Sequence, residues 1–94
     1  MLYAAVHSHP ASQCPLNTSD GKKMIKQLFS EENMKKSGIT LTSANMSCPV
    51  DSSADHKGFF IVEAKDAQAV KKFFGPMTVE LREVKPLSEV AKTL

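Results

Sequence analysis

At 94 residues with a formal charge of +2, the chain has room for one core and too little excess charge to mark it as a nucleic-acid binder. Twelve basic residues nearly balance ten acidic ones, and a hydrophobic fraction of 41% suits a folded domain rather than a disordered one. No apolar run approaches the roughly 20 residues that cross a bilayer, and the amino terminus lacks the basic-then-apolar pattern of an export signal, so the expected compartment is the cytoplasm and neither nucleic acid nor membrane is an expected partner.

The run Leu2-Tyr3-Ala4-Ala5-Val6 opens directly into His7-Ser8-His9-Pro10, and residues 2 to 9 are expected to form a first strand. Alternation sets Leu2, Ala4 and Val6 on one face and Tyr3, Ala5, His7 and His9 on the other. Residues 10 to 18, with two prolines, Asn17 and Thr18, form a loop that carries Cys14. Ser19 or Asp20 then caps a helix running to about Lys36, with an apolar stripe of Met24, Ile25, Leu28 and Phe29, and Gly38 is placed to end it.

Residues 39 to 48 have the threonine and β-branched content of a second strand, and residues 48 to 55, from Cys48-Pro49 to Ala54-Asp55, mark a turn region. Gly58-Phe59-Phe60-Ile61-Val62-Glu63-Ala64 is the clearest strand. Asp66 caps a short helix bearing Ala69, Val70, Phe73 and Phe74, and Gly75-Pro76 stops it. Residues 77 to 84 form the last strand, and Leu87, Val90, Ala91 and Leu94 give a short terminal helix over 87–94 one apolar stripe. The lysine pairs at 22–23, 35–36 and 71–72 are solvated helix faces. Phe29, Phe73 and Phe74 are expected to seal helices to sheet, as is one face of the Phe59-Phe60 pair.

The order β-α-β-β-α-β predicts one α+β domain over residues 1–94, of the ferredoxin-like kind: a four-stranded antiparallel sheet with two helices on one face. The other sheet face is left open, and a second copy of so small a domain is a natural cover for it.

That topology also predicts a site. The first and third strands are central and antiparallel, so the end of strand one meets the beginning of strand three, and strand two delivers Cys48 to the same rim. His7, His9, Cys14, Cys48 and His56, all the histidines and cysteines of the chain, converge there. Imidazole and thiolate together suit zinc, copper, iron or nickel. The spacing has no Cys-x-x-Cys and no His-Glu-x-x-His. His56 follows Asp55 in an expected loop, where an isolated histidine is ordinarily a surface residue.

Other chemistry competes with the metal. The His7 imidazole can act as a general acid or base, with Tyr3 on the same strand face closing a small-molecule pocket. Cys14 beside such a histidine is a better nucleophile or peroxide target than an isolated thiol. Glu80 and Arg82 share one face of the last strand and are read as edge electrostatics.

With its element order and the polar end of strand one, His7-Ser8-His9, the chain resembles the dimeric α+β barrel superfamily, which includes YciI-like proteins and small cofactor-free monooxygenases. The resemblance implies a homodimer through the open sheet face, a ligand site between sheet and loops, and a histidine–aspartate pair in which Asp51 or Asp55 partners His7. The expected function is therefore a small homodimeric metal-binding protein with a His/Cys site and metal-assisted chemistry on a small molecule. The alternatives are a metal-free monooxygenase or isomerase-like enzyme using His7 for proton transfer, with no cofactor, and a non-catalytic dimeric adaptor.

Overall fold

A computed structural model describes residues 1–75, 77 and 79–94. Four strands form one sheet: β1 (Leu2–Pro10), β2 (Thr40–Met46), β3 (Asp55–Glu63) and β4 (Val79–Val84). The spatial order is β2-β3-β1-β4, with every neighbouring pair antiparallel. Since β1 and β2 both run against β3, they are parallel to each other with β3 between them. The same holds for β3 and β4 about β1. This α+β arrangement is consistent with a ferredoxin-like fold.

The helices number four among the described residues, rather than the expected two plus a terminal one: α1 (Ser19–Leu28), α2 (Glu31–Ser37), α3 (Ala67–Phe74) and α4 (Leu87–Val90). The single helix expected to reach Lys36 is broken at Ser30. Its hydroxyl donates to the Gln27 carbonyl at 2.8 Å and accepts from the Asn33 amide at 3.2 Å, so it ends one helix and caps the next. Serine competes with the backbone in this way, which makes it a better cap than a helix interior residue. The cap of α1 is Thr18, whose oxygen accepts from the Gly21 amide at 3.0 Å, and not Ser19 or Asp20. Gly38 ends α2 with a left-handed φ of 71°, as its position predicts. Pro76, expected to help stop α3, and Thr78, expected within the last strand, lie outside the described residues.

Tyr3 and Ala5 of β1 are buried together with Phe60, Val62, Val70, Phe73 and Phe74. Phe60 and Phe74 rings lie 5.3 Å apart, and Phe29 stacks on Phe60 at the same centroid distance. Phe74, Val62 and Val70 are the largest fully buried side chains, each worth about 1.5–3 kcal/mol of transfer free energy. Met24, expected on the apolar stripe of α1, is instead 66% exposed.

The histidine-bearing face of β1 is thus the helix-covered face, and Tyr3, expected to close a small-molecule pocket, is instead packed in the core. Small Ala5 at the centre leaves room for the aromatic layer, whereas Leu2, Ala4 and Val6 turn to the uncovered face. Pairing places them beside Ile61, Phe59 and Val84, and Phe59 is 48% exposed there. Arg82 and Glu80 occupy that face too, joined by an ion pair of 3.1 Å. The segment after β4 forms α4 and a 3-10 turn (Ala91–Thr93), with Leu87, Val90 and Leu94 exposed. No helix among the described residues is long and apolar enough to cross a membrane.

Candidate metal centre

Strand β3 begins at Asp55, three residues before the expected start, and this extension moves His56 out of the turn. The burial alternation His56, Gly58, Phe60, Val62 runs unbroken along its inner face. His56 is consequently 8% exposed, not a surface residue, and sits directly across the ladder from His9. The two rings meet edge-on with centroids 5.5 Å apart.

Two loops complete the rim. After Pro10 the chain makes a 3-10 turn (Ala11–Gln13), passes Cys14, and makes a second (Pro15–Asn17). The Ala11 amide donates to the Ala54 carbonyl at 2.7 Å, which fastens this loop to the segment entering β3. The second turn lies against α1 at Gly21, where a Cβ would collide with the Pro15 backbone, so glycine is required for this close approach. Cys14, between the turns, is 5% exposed.

Cys48 lies in the turn after β2. The Ser47 amide donates to the Lys57 carbonyl at 2.8 Å, and its hydroxyl accepts from the Lys57 amide at 2.9 Å and donates to Asp51 Oδ2 at 3.0 Å. Asp51 also accepts from the Ser53 amide and hydroxyl, and these bonds hold its carboxyl below the usual range. Its carboxylate thus braces the Cys48 turn, and the nearby His56 lowers its pKa further.

Four ligand atoms, one each from His9, Cys14, Cys48 and His56, all lie within 4.8 Å of one another. His9 Nε2 is 3.5 Å from Cys48 Sγ. Tetrahedral zinc, with Zn–S about 2.3 Å and Zn–N about 2.0–2.1 Å, sets its ligand atoms about 3.3–3.8 Å apart. No pair of the four ligand atoms exceeds that spacing by more than about 1.5 Å. Among the described residues, Nδ1 of His9 and Nδ1 of His56 are buried with no hydrogen-bond partner. Such an orphaned nitrogen costs about 1–3 kcal/mol.

The electrostatics favour neutral groups in the metal-free site. Burial lowers the His9 pKa, and the neighbouring charges of His7 and His56 lower it further. Burial raises the Cys48 pKa, with the Cys14 hydrogen bond and charge adding to the shift. The lowered His9 pKa favours the unprotonated imidazole that a metal requires, and the raised Cys48 pKa favours the protonated thiol.

Of the five residues expected to gather, four do so. His7 lies one alternate position back along β1, its ring centroid 5.2 Å from that of His9, outside the four-residue group. Tyr3 lies in the core four residues from His7, or about 13 Å along the strand; its hydroxyl contacts Met1 Sδ at 3.5 Å.

Fold and site together define a small α+β protein with a His/Cys group able to hold a metal ion. No known protein family, curated protein or solved structure matches the chain, so the resemblance to YciI-like proteins finds no support from relatives.

Proposed function

We propose that this protein is a small zinc-binding protein of ferredoxin-like fold, with His9, Cys14, Cys48 and His56 as ligands. The observation that carries the reading is the mutual 4.8 Å limit on four ligand atoms drawn from two strands and two loops. Two imidazoles and two thiolates form a borderline-soft set that suits tetrahedral zinc, whereas magnesium and calcium take oxygen. With four protein ligands no coordination position remains for water, which favours a structural or regulatory centre over a hydrolytic one. Metal analysis of untagged protein, purified without chelator, tests this: about one zinc per chain is expected, with loss in His9→Ala/His56→Ala. Substoichiometric metal that cannot be restored by added zinc, copper or nickel would end the reading.

The open sheet face supports a second element of the proposal, a homodimer. Half-exposed Phe59 lies among Leu2, Ala4, Val6 and Ile61, an apolar patch on a domain too small to waste it. Sedimentation should give a dimer that Phe59→Lys converts to monomer; a wild-type monomer at high concentration would remove this element and leave the zinc centre standing.

A further inference from the structure

We propose that Cys14 and Cys48 form a peroxide-operated release for the metal, in which oxidation joins the two sulfurs and frees the zinc. The inference rests on the zinc reading and adds a claim that reading does not need: that the two thiolates react with each other.

Three features of the geometry point to it. The sulfurs already lie within 4.8 Å, and a disulfide needs about 2.05 Å, so less than about 3 Å must be closed. Neither cysteine belongs to the strand ladder: Cys14 stands between two 3-10 turns, and Cys48 is in the turn beyond β2. His9 and His56, in contrast, are held by pairing of β1 with β3. A disulfide therefore takes the sulfurs from the metal while the imidazoles stay in place. Access to the two sulfurs is also unequal. Cys48 is half-buried and Cys14 is buried, so a small hydroperoxide meets Cys48 first and leaves Cys14 to resolve the product. The chain has no third cysteine to divert the reaction.

The Cys48 sulfur gives two electrons to the hydroperoxide; the O–O bond breaks, one oxygen stays on sulfur as the sulfenic acid, and the other leaves as water. The Cys14 sulfur then attacks the Cys48 sulfur, the S–S bond forms, the S–O bond breaks, and the second oxygen leaves as water. Two thiolates, one hydrogen peroxide and two protons give one disulfide and two waters, while zinc departs as the unchanged dication.

The test uses the full, untagged chain, reduced and loaded with zinc, its zinc content measured before oxidant is added. Hydrogen peroxide is added stepwise with a chromogenic chelator reporting free zinc, and parallel samples are alkylated under denaturing conditions for intact mass. The expected result is zinc release in step with loss of both alkylatable thiols, a mass lower by two hydrogens, and a peptide joining Cys14 to Cys48. Dithiothreitol and zinc should restore the starting state. In Cys14→Ser, a dimedone adduct should mark Cys48 and no disulfide should form. Full zinc content that persists with both thiols intact overturns the release and spares the zinc centre. Release accompanied by sulfinic or sulfonic acids, or by chain-to-chain disulfides, also overturns it. Little zinc before peroxide overturns both.

Discussion

Removing the metal should lower stability by an amount that the free zinc concentration fixes. Zinc held by His9, Cys14, Cys48 and His56 would tie the end of β1 to the start of β3 and to both adjoining loops, and the unfolded chain has no such constellation, so bound zinc would favour the folded state. At a free concentration one hundred times the dissociation constant the gain is about 2.7 kcal/mol, and each further tenfold adds about 1.4 kcal/mol. A domain of this size moves its midpoint by about 4–8 °C per kcal/mol, so the first gain is a rise of about 11–22 °C. Against a total stability of about 5–14 kcal/mol, this is a large share. Thermal unfolding followed by circular dichroism, in chelator and at two buffered zinc concentrations, measures it. His9→Ala/His56→Ala should melt at one temperature in all three. A wild-type midpoint that zinc does not move, or a double variant that zinc moves equally, would rule out stabilisation through His9 and His56.

Three other outcomes follow from the same structure. Phe74→Ala removes the most deeply buried aromatic ring, in contact with Phe60 and Phe73, and should cost about 3–5 kcal/mol in urea unfolding; a loss below about 1 kcal/mol would contradict the packing. Gly21→Ala drives a methyl into the Pro15 backbone and displaces the Cys14 loop, so it should cost about 1–3 kcal/mol and weaken zinc binding in a chelator competition. In metal-free protein, the His9 pKa lies below its ordinary 6.5, so the unfolded chain takes the proton first as pH falls. The stability present above pH 6.5 should therefore be lost as pH falls towards the folded value, and His9→Asn should flatten that slope in unfolding experiments across pH 5 to 7.

Much of this arrangement can be read from the chain because its signals are local. Alternation in Leu2-Tyr3-Ala4-Ala5-Val6 and in the Phe59-Phe60 segment yields the two central strands, and Gly38 and Asp66 mark helix ends by their backbone chemistry. The element order then brings Cys14 and Cys48 to one rim. What stays hidden depends on competition between nonlocal terms. Ser30 breaks a continuous apolar periodicity because its hydroxyl finds two backbone partners. The inward face of β1 is the one carrying Tyr3 and Ala5, although Leu2, Ala4 and Val6 are equally apolar, because the aromatic layer needs the room that Ala5 leaves. His56 could have been recovered by continuing the period-two pattern of β3 back through Gly58. That His7 falls outside the four-residue group could not, since His7 and His9 share a strand face.

X-ray absorption at the zinc edge, on untagged reduced protein with stoichiometric metal, reads the ligand set itself. Two sulfur scatterers at about 2.3 Å and two nitrogen scatterers at about 2.0–2.1 Å with imidazole outer shells are expected, falling to three or fewer protein ligands in Cys14→Ser. A shell of oxygen and nitrogen alone, with no sulfur, would contradict that ligand set.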